Sequence, residues 1–218
     1  MNRTLFFLAV GAVAAVASSA SRDAHAIGPV DVEVGVIAGA GTTPTHQGNG
    51  AVVTGLTGVA LPNPLGFGLG GRAGVGFHGL YAGVEGMYDF GSSVGQPYGV
   101  KSNSDLVGVD VGYSFKLPVV TIRPLVGIGN FTETVSGLPQ PSCPAGSGPC
   151  SVPNSQSYNT LYVQPGITVL ISLGTLYVGA DANLLVLTSL PEYAGDNPNT
   201  PYRLELALTF HGQVGVRF

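Results

Sequence analysis

Apolar and polar side chains alternate with a period of two along most of the chain. The tail YRLELALTFHGQVGVRF, residues 202–218, has apolar residues or glycine at every second position and polar or small residues between them. Because successive side chains of a β-strand point to opposite faces, this pattern predicts a long strand with one apolar face. Seven earlier segments alternate in the same way, which predicts eight strands in total. The predicted strands span residues 30–40, 67–77, 80–90, 107–115, 122–133, 160–172, 176–186 and 202–218.

The connections between these segments are alternately long and short. The long ones span about residues 41–66, 91–103, 135–157 and 188–201, and the short ones lie at His78-Gly79, at 116–120 and around Gly174. This order indicates sequential antiparallel strands with tight turns at one end and long loops at the other. An even number of strands allows the sheet to close without a free edge. The sequence therefore predicts an all-β fold, an eight-stranded antiparallel up-and-down barrel, in which Pro124 is a weak point of the fifth strand.

The few charges decide which face of the barrel is buried. Charged residues make up 9% of the chain, against roughly 25% in ordinary soluble domains. Those within the strands lie on the polar face, where they are too few to cover a water-facing barrel but suffice to fill a narrow interior as ion pairs. The apolar face then meets lipid, which predicts a transmembrane barrel rather than a soluble one. The predicted ion-pair network of the lumen comprises Arg72, Arg123, Arg203, Arg217, Glu33, Glu85, Asp110, Asp181 and Glu205.

Aromatic residues on the apolar face cluster near the strand ends, as expected for the two interfaces of a membrane. Those near the long loops are Phe67, Tyr88, Phe90 and Tyr202, and those near the short turns are Phe77, Tyr113, Phe115 and Phe218.

Residues 1–26 read as a cleaved signal peptide, and residues 27–218 as the barrel. Arg3 precedes a thirteen-residue apolar run, Leu5–Ala17, and the segment 24–26, Ala-His-Ala, fits a cleavage site; cleavage near residues 19–20 is an alternative. Export also bears on the two cysteines, Cys143 and Cys150, which lie in a loop rich in Pro, Gly and Ser. In an exported protein, two cysteines this close are predicted to form a disulfide.

With these features the chain resembles the small eight-stranded outer-membrane barrels of Gram-negative bacteria, the OmpA-like and OmpX-like group, with an OmpW-like barrel as a weaker match. The resemblance rests on the strand count, the loop order, the inward charges and the terminal Phe218. It implies a location in the bacterial outer membrane, with outer-membrane lipid and the outer-membrane assembly machinery as partners. It further implies that Phe218 belongs to the signal that this machinery reads.

The interior of an eight-stranded barrel is just wide enough for side chains to fill. We therefore expect a lumen plugged by ion pairs and a non-enzymatic role in envelope structure or surface interaction. A narrow channel for small or hydrophobic solutes is the alternative. Two questions stay open: whether Tyr81, Tyr162 and Tyr177 or water fill the space beside inward glycines, and whether the apolar first loop extends the strands or folds into the mouth as a lid.

Catalysis is not expected from this sequence. The three histidines after residue 26, His46, His78 and His211, have no nearby serine and acid in a catalytic pattern. No cofactor or metal site is predicted, because two thiolates fall short of a zinc ligand set. No basic patch suggests nucleic acid, and we expect a monomer.

Overall fold

The computed structural model describes residues 30–42, 63–93, 101–137, 155–188 and 205–218. Within these ranges the chain forms nine strands. β5 is a two-residue continuation of β4 beyond Ser114, so the wall has eight strands. The strands are β1 Val30–Thr42, β2 Phe67–Phe77, β3 Leu80–Asp89, β4 Lys101–Tyr113, β5 Phe115–Lys116, β6 Val120–Ser136, β7 Ser155–Leu173, β8 Leu176–Leu187 and β9 Glu205–Arg217.

Every strand of the wall pairs antiparallel with its neighbours in sequence, and β1 pairs with β9 to close the ring. The prediction of an eight-stranded antiparallel up-and-down barrel is thereby confirmed. The closing pairs run from Glu33–Arg217 to Thr42–Leu208. No helix among the described residues is long and apolar enough to cross a membrane.

The tight turns gather at one end of the barrel. His78 and Gly79 join β2 to β3 with φ angles of 50° and 88°, the left-handed conformations that suit a two-residue hairpin. Gly174, with φ of 74°, begins the equivalent turn between β7 and β8. We call this the turn end and the opposite one the loop end.

Some strands are longer at the loop end than the alternation predicts. β4 begins at Lys101 rather than Val107, and β6 and β7 reach Ser136 and Ser155. The predicted loops 91–103 and 135–157 were therefore too wide. In these extensions both faces carry polar residues, as in the segment KSNSD at 101–105, so the alternation that marks the rest of the wall is lost.

Side chains segregate by face as the alternation requires. On β4, Val109 is 50% exposed on the outside whereas its neighbour Asp110 is 1% exposed on the inside. On β6, Ile128 is 53% exposed and Arg123 only 2%. Apolar residues thus cover the outer wall, and most charged strand residues lie within the lumen.

Aromatic rings cluster at both ends of the outer wall. At the loop end, the ring of Phe90 lies 6.4 Å from that of Phe67 and 5.1 Å from that of Tyr88. At the turn end, Tyr113 and Phe115 lie 5.0 Å apart. These contacts place two aromatic belts where the interfaces of a bilayer are expected; Tyr202 lies outside the described residues.

Two prolines lie within the wall. Pro124 keeps its place in β6, opposite Ile167 of β7. Pro165 interrupts the ladder between β7 and β8, where pairing stops after Val163–Val186 and resumes at Gly166–Asn183. A proline has no N–H to donate, which explains the gap.

Candidate functional site

Near the turn end, one carboxylate holds two guanidinium groups. Arg123 donates from Nη2 and Nη1 to the two oxygens of Glu33, at 2.7 and 3.0 Å. From the opposite side, Arg217 donates from Nε to Glu33 Oε1 at 2.9 Å. The Glu33 side chain is 7% exposed and that of Arg123 3%. These charge-assisted bonds tie β1, β6 and β9 together across the lumen.

Further contacts orient the two arginines. Arg123 donates from Nε to Ser114 Oγ at 2.8 Å, and its guanidinium lies 3.7 Å from the centroid of the Tyr81 ring, a favourable cation–π geometry. Arg217 donates from Nη1 to Ser172 Oγ at 3.3 Å. Its guanidinium lies 5.9 Å from the Tyr177 ring.

In the middle of the barrel, Arg72 faces three carboxylates. Its Nη2 lies 2.5 Å from Glu85 Oε2, its Nε 3.5 Å from Asp110 Oδ2, and its Nη1 3.4 Å from Asp181 Oδ1. None of the four side chains is more than 5% exposed. Three carboxylates around one guanidinium leave this central cluster with surplus negative charge.

Asp181 receives additional polar contacts in the central cluster. Gln213 donates from Nε2 to Asp181 Oδ1 at 2.6 Å, and His211 Nδ1 lies 3.0 Å from Oδ2. His211 is 7% exposed. Its imidazole is thus a buried partner of the ion pairs, a role that its inward position alone did not reveal.

Three inward tyrosines fill space that glycines leave free. A Cβ at Gly74 would lie 2.5 Å from the Tyr81 ring, one at Gly129 2.6 Å from the Tyr162 hydroxyl, and one at Gly215 2.5 Å from the Tyr177 hydroxyl. Each tyrosine also covers a second glycine; these are Gly83, on the same strand as Tyr81, and Gly108 and Gly35 for Tyr162 and Tyr177. At these six positions, the ring and not water occupies the space.

At the loop end, the first connection turns into the barrel. Its described part, residues 63–66, places Leu65 at 1% exposure in an apolar cluster. Gly41 donates its N–H to the Leu65 carbonyl at 2.8 Å, and Ser104 Oγ donates to the Pro64 carbonyl at 3.0 Å. The loop was expected either to extend the strands or to fold into the mouth, and residues 63–66 fold into the mouth. The cluster comprises Ile37, Leu65, Met87, Leu106, Phe131, Tyr162, Leu185, Leu187 and Ala207.

Two buried acids at the loop end were not among the predicted network. Ser102 donates to Glu133 Oε1 at 2.7 Å. Asp89 Oδ2 lies 3.1 Å from Ser104 Oγ, whose single proton can bond either this oxygen or the Pro64 carbonyl. Both acids are 2% exposed. Their place on the polar face was the available signal, because each lies an even number of residues from an inward acid or arginine of the same strand.

Several predicted site residues lie outside the described residues. Arg203, Cys143 and Cys150 are among them, as is the signal peptide, so the disulfide and the cleavage remain predictions. Glu205 begins β9 opposite Leu187, but its side chain is not described. Phe218 exchanges two backbone hydrogen bonds with Val32, each 2.9 Å long. Among the described residues, no three His, Cys, Asp or Glu side chains are arranged to hold a metal ion.

A closed barrel with an apolar exterior and charges inside is typical of outer-membrane barrels. The family model for the outer membrane protein beta-barrel domain matches residues 5–218 of the chain. The chain belongs to this family. It is an outer-membrane β-barrel, located in the bacterial outer membrane and embedded in its lipid.

Several solved structures are similar to this outer-membrane barrel. Neisserial surface protein A covers 87% of the chain with 97% of its own length, at a TM-score of 0.55 and 11% identity. Ail, the attachment invasion locus protein of Yersinia pestis, covers 87% of the chain with 99% of its own length, at a TM-score of 0.47 and 14% identity. The N-terminal barrel domain of Pseudomonas aeruginosa OprF covers 86% of the chain with 97% of its own length, at a TM-score of 0.44 and 13% identity. No curated protein sequence matches the chain.

Proposed function

We propose that this barrel is a non-enzymatic protein of the outer membrane, with a role in envelope structure or surface interaction, and that its lumen is closed. The observation that carries the proposal is the stacking of obstructions along the lumen. The Glu33 cluster lies near the turn end, the Arg72 cluster in the middle and Leu65 at the loop end. A solute would have to disrupt all three to pass.

The energetics of buried ion pairs support a plug. Separating one partner from a buried, hydrogen-bonded pair costs about 3–5 kcal/mol, because the other charge is left without compensation. Arg72 and Glu33 each hold more than one partner from another strand. Displacing either side chain to open a path therefore breaks several contacts together.

The packing of aromatic rings supports the same conclusion. Tyr81 and Tyr177 lie beside the guanidinium groups of Arg123 and Arg217. Each ring also sits against glycines of the adjacent wall. The cross-section between the ion-pair clusters is thus occupied by side chains in contact with each other.

The non-enzymatic part of the proposal draws on the described histidines. His211 is engaged with Asp181 inside the lumen, and His78 forms the β2–β3 turn. Neither lies in a catalytic arrangement with a serine. His46 lies outside the described residues.

We further propose a monomer that the outer-membrane assembly machinery inserts. Within the described wall, closure through β1 and β9 leaves no strand edge for a second copy to pair with. The backbone bonds of Phe218 to Val32 hold the last residue within that closure. Its role as an assembly signal is carried over from the family resemblance.

Conductance of the refolded protein in planar lipid bilayers tests the closed lumen. We expect no steady unitary current for the wild type or for Arg72→Ala alone, and measurable current only when Glu33→Ala, Arg72→Ala and Leu65→Ala together remove all three obstructions. Asp31→Asn, at an exposed ion pair with Lys116, is the control and should behave as the wild type. Steady wild-type currents would overturn the proposal and favour the narrow channel instead.

A further inference from the structure

Oxygen atoms from three strands gather over two glycines of the inner wall. Asp110 Oδ1 lies 2.5 Å from where a Cβ of Gly127 would be, and the Cβ of Gln164 lies 3.5 Å from that position. Two residues along β7, the side-chain oxygen of Asn183 lies directly over Gly166. We call the part of the inner wall that Asp110, Gln164 and Asn183 form the oxygen pocket.

Three oxygens of these side chains have no hydrogen bond within the described part of the chain. They are Asp110 Oδ2, Gln164 Oε1 and Asn183 Oδ1, all buried; Asp110 Oδ2 lies 3.5 Å from Arg72 Nε as an ion pair. The three residues are 1%, 1% and 2% exposed. Thr168, which follows on the same face of β7, adds an unpartnered hydroxyl oxygen at 0% exposure. Native interiors seldom leave buried acceptors unsatisfied, so several in one place indicate an occupant.

The backbone beside the pocket adds to this deficit. The interruption between β7 and β8 falls at Gln164 and Pro165, next to Gly166. Because Pro165 has no N–H, the facing segment of β8 lacks a donor that a regular ladder would supply.

Charge identifies the kind of occupant. Asp110 belongs to the central cluster, in which three carboxylates share the guanidinium of Arg72. Arg123 and Arg217 are committed to Glu33, and His211 contacts Asp181. Buried negative charge without a counter-charge is strongly unfavourable, so a cation satisfies both the charge and the acceptors.

The donor atoms select the class of cation. They are one carboxylate, two amide oxygens and a hydroxyl, which are ligands for hard cations rather than for thiophilic or imidazole-preferring metals. The described residues offer no three acidic, His or Cys ligands in one arrangement, as a transition-metal site requires. We propose that the oxygen pocket binds a small monovalent cation, with sodium as the probe, and that this ion completes the charge balance of the core. The proposal does not depend on whether the lumen conducts.

Refolding the full chain into zwitterionic micelles in two salts tests the proposal. One sample contains sodium chloride and the other N-methyl-D-glucamine chloride at equal ionic strength, because the bulky organic cation cannot be ligated by several buried oxygens at once. We expect a higher melting midpoint in sodium, rising with the logarithm of its concentration as ligand linkage requires. The sodium-23 magnetic resonance line should broaden in the presence of the folded protein.

Substitutions locate the effect. Asp110→Asn and Gln164→Leu should lose the sodium-dependent rise, whereas Asp31→Asn, at the exposed pair with Lys116, should keep it. Equal wild-type midpoints in the two salts would mean that water alone fills the pocket and would overturn the proposal, even if no variant refolds. A midpoint that follows pH equally in both salts would also overturn it, since a proton would then balance the charge. Retention of the sodium effect in both pocket variants would move the ion elsewhere and contradict the assignment.

Discussion

One added methyl group on an inward glycine tests how tightly the tyrosine rings are packed. In Gly74→Ala, the new Cβ would lie 2.5 Å from Cε2 and from the hydroxyl of Tyr81, well inside van der Waals contact. The ring has little room to retreat. The guanidinium of Arg123 lies 3.7 Å from its centroid, and its hydroxyl end already occupies the space over Gly83.

The expected magnitude follows from two opposing terms. Forcing a methyl group into a packed interior costs about 1–3 kcal/mol. Replacing glycine by alanine also restricts the unfolded chain, which stabilises the protein by about 0.4–1 kcal/mol where the site accepts the side chain. Gly74→Ala should therefore lower the free energy of unfolding by about 1–2 kcal/mol.

Gly71→Ala is a matched control on the same strand. Gly71 points to the opposite face of β2, and its Cβ would meet only the Gly35 carbonyl oxygen at 3.5 Å, an ordinary contact. This variant should be neutral or gain up to about 1 kcal/mol. The two substitutions are chemically identical, yet only Gly74→Ala should destabilise the protein.

Equilibrium urea unfolding in detergent or vesicles measures the difference. The chain has no tryptophan, so far-ultraviolet circular dichroism is the suitable probe. The midpoint and slope should be compared, since a changed slope would indicate an altered unfolded state. If Gly74→Ala is as stable as Gly71→Ala, the ring does not fill this space and the packing described here is wrong.

Three further outcomes are expected. Glu33→Gln should lower the free energy of unfolding by about 3–5 kcal/mol, because it leaves the buried guanidinium of Arg123 and the half-buried one of Arg217 without a counter-charge, whereas Asp31→Asn at an exposed pair should cost under about 1 kcal/mol in the same urea titration. Leu65→Ala should cost about 2–5 kcal/mol by calorimetry or urea unfolding, since it empties part of the apolar cluster at the mouth; a neutral result would show that the segment does not seal the lumen. Mass spectrometry after alkylation without reductant should find Cys143 and Cys150 protected, and alkylated thiols at both positions would refute the predicted disulfide.

The sequence was sufficient to predict the wall of the barrel. Alternation marks β2 from Phe67 to Phe77 and β8 from Leu176 because one face meets lipid and the other a polar lumen, so the two faces differ sharply in character. At Lys101–Asp105 the same strand geometry continues with both faces polar, and the signal disappears. The alternation therefore reflects a difference in surroundings between the two faces of a strand, and it does not reflect strand propensity.

Partners within the lumen were not predictable in the same way. The alternation along each strand places Arg217 and Glu33 on the inner face. Their contact, however, joins residues separated by 184 positions and depends on the register of the closing strands. The position of Leu65 was equally hidden, because its connection carries no alternation. Its burial follows from the backbone bond that Gly41 donates to Leu65 and from the contact of the Ser104 hydroxyl with the Pro64 carbonyl, which only the folded ring brings within reach.

Closure between the first and last strands sets the order in which the molecule can form. Until β9, residues 205–217, has paired, β1 and β8 each lack a partner strand on one side. Contacts between distant parts of a chain form slowly, since the intervening loop must first be ordered. Before closure the chain therefore forms an open sheet with two unpaired strand edges. A chaperone that covers these edges would control how much of the protein folds.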